Sequence, residues 1–225
     1  MGAVRSFSLD TPRGPAAVRI TDPAGPPISM LVLGHGAAGG VDAPDLIRVQ
    51  DVAVAAGVRV ALVTQPYRVA GRRTPAPAAQ LDEAWIAVVR HIAVRDLPLI
   101  CGGRSSGARV ACRTAAELGV AGVLALAFPL HPPGKPDRSR APELPTDIPT
   151  LVVNGDRDPF GVPDATGAVE VVVRPGATHD LRKDLAGTAD VVLTWLTQHG
   201  WANPAATPAR DEPQAKRAQS SHRWD

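Results

Sequence analysis

The sequence predicts an α/β fold, a β-sheet flanked by helices. Three observations lead to this prediction. Short apolar runs rich in β-branched residues alternate with longer stretches of helical period. Turns containing glycine and proline separate these segments. The 225 residues are 44% hydrophobic and 20% charged, a composition typical of one globular domain with a single core.

Eight segments have the composition of strands, and four have the periodicity of helices. The predicted strands are residues 4–9, 16–20, 28–33, 58–63, 97–101, 121–128, 149–153 and 169–173. The predicted helices are residues 45–56, 79–95, 106–118 and 185–199. The proline-rich stretch 129–149 shows no helical pattern, so we expect little or no cap domain.

The domain is predicted to occupy residues 1–200, followed by a disordered C-terminal tail at 201–225, where proline, alanine and charged residues dominate. The formal net charge is only +2, so we expect no nucleic-acid partner and no membrane association. The longest apolar run is too short for a membrane span, and we recognise no signal peptide. We therefore expect a cytoplasmic protein, monomeric or homodimeric.

The segment Gly103-Arg104-Ser105-Ser106-Gly107 fits the pattern G-x-S-x-G. It lies between a predicted buried strand and a predicted helix, and this context places a serine at the apex of a sharp turn. Ser105 is therefore the predicted nucleophile. The amide of Ser106, at a helix N-terminus, is a predicted oxyanion donor. The alternative is a glycine- and serine-rich turn without chemistry.

A serine hydroxyl needs a general base, and His179 is the strongest candidate. It lies between the last predicted strand and the last helix, on the same sheet edge as Ser105. The acid that orients the imidazole should come between them in chain order. Asp158 is preferred because it lies three residues beyond Gly155. Asp156 remains an alternative, although it more plausibly caps its own turn.

A glycine-rich loop from Gly34 to Gly40 follows the third predicted strand. It has the form H-G-x-x-G, which supplies a second oxyanion donor in serine hydrolases. The Ala37 amide is the preferred donor, and the Ala38 amide is the alternative. A dinucleotide-binding loop is the competing interpretation. The loop lacks the lysine of a P-loop. Its glycines at 34, 36 and 39 have the spacing of G-x-G-x-x-G, but they run through a histidine and lead into an Asp-Pro turn instead of directly into a helix.

Together these segments resemble the α/β-hydrolase superfamily, and the chain's size and missing cap are similar to its dienelactone-hydrolase-like members. A narrower resemblance is to the hydrolase-like family that includes a testis-expressed protein and a subunit of the NSL histone-acetyltransferase complex. The segments that carry it are His35-Gly36-Ala37 with residues 42–46, 103–109, 128–134 and 155–161.

The resemblance implies an α/β-hydrolase fold with an eight-stranded, mostly parallel sheet and a triad of Ser105, Asp158 and His179. It does not imply a substrate. The serine at position 105 departs from dienelactone hydrolases, which use cysteine there.

The sequence therefore predicts a serine hydrolase that cleaves a small ester or thioester with water and needs no metal or cofactor. His35, Arg104 and His131 are predicted to contact the acyl substrate, with surface ion pairing as the alternative role for the arginine. The rival from another class is a non-catalytic interaction module that keeps the fold.

Overall fold

The computed structural model describes residues 2–204, and its central feature is one eight-stranded sheet in the order β1-β2-β4-β3-β5-β6-β7-β8. The strands are β1 (Val4–Thr11), β2 (Gly14–Thr21), β3 (Ser29–Gly34), β4 (Val58–Thr64), β5 (Leu99–Arg104), β6 (Gly122–Leu126), β7 (Thr150–Gly155) and β8 (Val169–Arg174). β2 pairs antiparallel with both β1 and β4, and all other neighbours are parallel. The predicted mostly parallel sheet is confirmed.

Five helices lie on the two faces of the sheet. They are α1 (Pro44–Ala55), α2 (Pro66–Val69), α3 (Ala78–Ile92), α4 (Ser106–Leu118) and α5 (Leu185–Gln198). Four of them correspond to predicted helices. The single turn of α2 was not predicted, because four residues are too few to show a helical period.

Each face of the sheet has its own apolar layer. Successive side chains of a strand point to opposite faces, so Met30 and Val32 of β3 join one layer while Leu31 and Leu33 join the other. Helices α3 and α4 complete the first layer, and α1 and α5 complete the second. This double burial explains why the central strands are apolar runs without alternation.

The parallel register brings four loops to one edge of the sheet. Gly34 at the end of β3 lies beside Gly103 of β5, and Arg104 of β5 lies beside Leu126 of β6. The loops that follow β3, β5, β7 and β8 therefore start at the same carboxyl edge. They carry all the residues predicted to form the triad and the oxyanion site.

The connection between β6 and β7 takes the place where a cap could be inserted. Its one helical element within the described chain is a 3₁₀ turn, Ala141–Glu143. Glu143 accepts hydrogen bonds from Arg109 and Arg113 of α4, which fix this connection against the domain. The expectation of a minimal cap is confirmed.

Four described residues extend beyond the predicted domain end at 200. Trp201 and Ala202 are buried, and the Ser29 hydroxyl donates a hydrogen bond to the Trp201 carbonyl at 2.6 Å. The predicted disorder of the tail concerns residues 205–225, which lie outside the described range. Among residues 2–204, no helix is both long enough and apolar enough to cross a membrane.

Candidate active site

Ser105 lies at the junction of β5 and α4, in a backbone conformation that residues other than glycine seldom adopt. Its φ is 53° and its ψ is −110°, so the turn is strained and must be held by its surroundings. The Ser105 amide donates to the Leu126 carbonyl at 2.9 Å. A Cβ atom at Gly107 would lie only 2.5 Å from the Gly34 carbonyl oxygen, so glycine is required for the close approach of α4 to β3.

His179 connects Ser105 to Asp158 through two hydrogen bonds. Nε2 of His179 lies 2.8 Å from Ser105 Oγ, and Nδ1 lies 2.7 Å from Asp158 Oδ2. Because a carboxylate only accepts, Nδ1 carries the proton and Nε2 is the acceptor for the serine hydroxyl. The structure brings the three predicted residues together in the order that proton transfer from the serine requires.

Asp158 is held with its side chain fully buried. Its second oxygen, Oδ1, accepts the Phe160 amide at 2.9 Å, which fixes the plane of the carboxylate. The Phe160 ring packs against the His179 imidazole, with centroids 4.3 Å apart. The acid is therefore positioned by its own loop, and that loop also covers one face of the base.

Asp156, the alternative acid, makes no hydrogen bond to the imidazole within residues 2–204 and joins the two loops instead. Its Oδ1 accepts the Gly176 amide at 2.6 Å, and the Arg157 amide donates to the Ala177 carbonyl at 3.0 Å. The loops can approach this closely because Gly155 has no side chain. A Cβ atom there would lie only 2.1 Å from the Ala177 carbonyl oxygen. Asp156 thus fixes the segment that presents His179.

The loop after β3 is held in place by the buried side chain of His35. The Gln65 amide donates to His35 Nε2 at 3.1 Å, so Nδ1 carries the proton and donates to the Gly36 carbonyl at 2.8 Å. Burial lowers the pKa of His35, although the hydrogen bond to Gly36 opposes the shift. The ring is neutral and buried, and both nitrogens are engaged by the backbone.

The amides of Ala37 and Ser106 are available as donors. Within residues 2–204 neither makes a hydrogen bond to the protein. Tyr67 Oη donates to the Ala37 carbonyl at 2.8 Å, which holds this peptide group in place. Ser106 is the first residue of α4, where the helix dipole favours negative charge. Both amides predicted as oxyanion donors therefore lack a protein acceptor within the described chain.

The other predicted substrate contacts are placed differently. Arg104 Nε donates to Asp45 Oδ2 at 2.8 Å, and its Nη2 donates to the His179 carbonyl at 2.8 Å. His131 is half-buried, and its Nδ1 lies 2.9 Å from the Pro132 carbonyl oxygen. Its ring lies against Gly161, at the end of the loop that carries Asp158.

Sequence reasoning missed four residues that shape this site: Asp45, Gln65, Tyr67 and Phe160. Asp45 and Arg104 are 59 residues apart, and no local pattern indicates such a contact. Phe160 offered the best signal, since it follows the candidate acid by two residues. Among residues 2–204, no group of three or more His, Cys, Asp or Glu side chains is arranged to hold a metal ion.

Comparison with known proteins agrees with this architecture. The model of the alpha/beta hydrolase domain family matches residues 27–188. No curated protein matches the sequence significantly.

Solved structures share the fold at low sequence identity. An alpha-beta serine hydrolase homologue from Coxiella burnetii has a TM-score of 0.71 and 20% identity, covering 86% of this chain and 97% of its own. A serine hydrolase without lid from Xanthomonas campestris has a TM-score of 0.71 and 19% identity, with coverage of 91% and 97%. A dienelactone hydrolase from Anabaena variabilis gives 0.70 and 19%, with coverage of 87% and 97%.

Proposed function

This chain belongs to the alpha/beta hydrolase domain family, and from that premise we propose that it is a serine hydrolase that cleaves a small ester or thioester. The observation that carries the proposal is the pair of hydrogen bonds, 2.8 Å and 2.7 Å long, that joins Ser105, His179 and Asp158. A serine, an imidazole and a buried carboxylate in this order form the arrangement that activates a hydroxyl for acyl transfer.

In the proposed reaction Ser105 Oγ attacks the acyl carbonyl while His179 Nε2 accepts its proton. Asp158 stabilises the imidazolium that forms. The negative charge on the former carbonyl oxygen is bound by the Ala37 and Ser106 amides. His179 then gives its proton to the leaving alcohol or thiol, and an acyl-enzyme remains on Ser105.

Water completes the cycle through the same groups. His179 removes a proton from a water molecule, which attacks the acyl-enzyme, and the acid product leaves as Ser105 regains its proton. The proposed reaction uses no cofactor. The short β6–β7 connection and the half-buried Ser105 favour a small or exposed acyl group over a long lipid chain.

Several finer points belong to the same proposal. Contact of the substrate with His131 is supported by its place against Gly161, at the end of the acid loop. For His35 we propose support of the oxyanion loop, because both its nitrogens are already engaged. A cytoplasmic location, a monomeric or homodimeric state and the kinship with the testis-expressed and NSL-subunit family remain proposals drawn from the sequence.

Covalent labelling by a fluorophosphonate probe tests the function directly. We expect the wild-type protein to be labelled and Ser105→Ala to be unlabelled, while Ser139→Ala, which alters an exposed serine, is labelled like the wild type. Hydrolysis of nitrophenyl esters and thioesters of graded acyl length then defines the substrate. An unlabelled wild-type protein, or equal labelling of Ser105→Ala, would favour the non-catalytic interaction module.

A further inference from the structure

Arg104 is the residue before the nucleophile, and its side chain contacts two other segments of the site. It joins Asp45, in the first turn of α1, to the backbone of His179. Only 16% of the Arg104 side chain is exposed, and none of the Asp45 side chain is. One guanidinium therefore connects three segments that are distant in sequence.

Asp45 is an unusual partner for a structural ion pair. Burial raises the pKa of Asp45, and the charge and hydrogen bond of Arg104 oppose that shift. Its Oδ1 has no hydrogen-bond partner within the described chain. Such a pair contributes little net stability, because desolvation offsets the attraction. A positional role explains better why polar groups are buried here.

Gly36 gives the guanidinium its room. A Cβ atom at Gly36 would lie 3.3 Å from Arg104 Nη1 and 3.6 Å from the Ser105 Cβ atom. A side chain at this position would therefore crowd the guanidinium, while its contact with Ser105 would be an ordinary van der Waals contact. The arginine thus lies directly against the loop that presents the Ala37 amide.

The His179 loop has few other links to the nucleophile. Its remaining hydrogen bonds to neighbouring segments, at Gly176, Ala177 and His179 Nδ1, all run to the acid loop. Within residues 2–204, the hydrogen bonds that join residues 176–181 to the β5–α4 junction come from Arg104 and Ser105 alone. The bond from Ser105 is the one that must break during the reaction, so Arg104 supplies the link that persists.

We propose that Arg104, held by Asp45, is a positioning residue that keeps the His179 imidazole within reach of Ser105 throughout the catalytic cycle. The proposal rests on the proposed hydrolase function. It assigns Arg104 a contact with the base loop in place of a contact with the substrate. The side chain fixes the His179 carbonyl, and the ring then has few ways to turn away when its bond to Ser105 is broken.

Arg113 provides a matched control for the experiment. Its Nε and Nη2 both bind Asp82, and its side chain is 18% exposed, close to the 16% of Arg104. It lies on α4, away from the triad. The variants to compare are Arg104→Gln, Arg104→Lys, Arg104→Ala and Arg113→Gln, assayed with the ester that the wild type cleaves best.

We expect Arg104→Gln to lower kcat by about 100-fold, the usual cost of a displacement near 1 Å in a catalytic group, with little change in KM. Arg104→Lys should retain part of the activity, since it keeps the charge without the fork of donors. Added guanidinium ion at non-denaturing concentration should restore part of the kcat of Arg104→Ala. It should not raise the activity of Arg113→Gln.

Two results would overturn the proposal. One is a loss of kcat in Arg104→Gln no larger than in Arg113→Gln. The other is an effect confined to KM, which would support the substrate contact predicted from the sequence.

A spectroscopic measurement separates this proposal from the hydrolase function itself. The His179 Nδ1 proton, held by Asp158, should give a low-field imidazole resonance in solution. We expect it to broaden or vanish in Arg104→Gln and to persist in Arg113→Gln. This test does not depend on turnover: an unlabelled wild type would refute the hydrolase, whereas an unchanged resonance in a folded Arg104→Gln would refute the positioning role. Asp45→Asn offers a second variant if Arg104→Gln fails to fold.

Discussion

Two arginine–carboxylate assemblies in this molecule use similar groups in different surroundings. On the surface of α3 and α4, a helix network joins Asp82, Arg109, Arg113 and Glu143, whose side chains are all partly exposed. At the sheet edge, Arg104 pairs with Asp45, which is fully buried. The helix network connects helices to a loop, whereas the buried pair connects the first turn of α1 to the loop of the candidate base.

The difference lies in how completely the polar groups are satisfied. In the helix network both oxygens of Asp82 and of Glu143 accept hydrogen bonds from arginines. At the sheet edge, Asp45 keeps one oxygen without a partner, and Ser105 has a strained backbone. A satisfied network stabilises the fold, whereas the incompletely satisfied edge fixes geometry at a cost in stability. Activity and stability should therefore respond to different substitutions.

The largest effect is expected at the site itself, for Asp158→Asn. The amide oxygen would keep the bond from the Phe160 amide, so the NH2 group would face His179 Nδ1 and donate to it. The wrong imidazole tautomer is then favoured, and kcat should fall roughly 10⁴-fold. Steady-state ester hydrolysis measures this. Asp156→Asn is the control: its oxygen can still accept the Gly176 amide, and we expect a loss of less than about tenfold. Equal losses in both variants would contradict the assignment of Asp158 as the acid and of Asp156 as a residue that only joins the two loops.

On the other side of the comparison, Glu143→Gln should lower stability and leave activity within about twofold of the wild type. The loss of charge-assisted bonds to Arg109 and Arg113 should lower the free energy of unfolding by about 1–3 kcal/mol. Burial alone would raise the pKa of Glu143, but its bonds to these arginines outweigh burial and lower it. Its stabilising contribution is present above pH about 4.3 and is lost as the pH falls through the lowered pKa.

Urea unfolding at pH 7 and at pH 3.5, with an esterase assay at pH 7, tests this prediction. The difference in stability between wild type and Glu143→Gln should shrink at the lower pH. A variant that loses activity in proportion to the Asp158 variant would show that the helix network also belongs to the site.

The smallest effect is expected for His35, whose ring nitrogens bind the backbone of Gly36 and Gln65 behind the site. Burial lowers the pKa of this residue, so the unfolded chain binds a proton more readily than the folded one does. The stability that neutral His35 contributes is present above pH about 6.5 and is lost as the pH falls through its lowered pKa. Protonation also removes the acceptor for the Gln65 amide.

Urea unfolding of the wild type and His35→Gln between pH 7.5 and 5 measures this component. We expect the wild type to lose more stability over this range than the variant does. Parallel curves would show that His35 is not the group responsible.

The fold was largely predictable because its signals are local. Apolar runs such as 28–33 and 121–128 report burial on both faces, and Gly57 and Gly119 end their helices with the positive φ that glycine allows. The bounds shifted where termini are set by partners. Residues 97–98 were predicted to be strand, yet β5 starts at Leu99 and runs on to Arg104, since its pairing with β6 continues that far.

The candidate site was predictable only in part. The motif around Ser105 and the chain order of acid and base indicate which side chains meet, because the parallel sheet brings those loops to one edge. The contacts of Asp45 with Arg104 and of His35 with Gln65 could not be inferred. They depend on where α1 and the start of α2 lie in space, and the sequence contains no repeating pattern that encodes it.

The burial of Trp201 has a consequence for how the polypeptide acquires its fold during synthesis. The indole lies against Gly122 at the start of β6, where a Cβ atom would meet it at 2.5 Å, and the Asn203 amide binds the Ala56 carbonyl. A nascent chain that has not yet added these residues leaves one side of its α1–α5 layer uncovered. That layer is therefore complete only once the chain has been made up to Asn203, well after the nucleophile turn at Ser105.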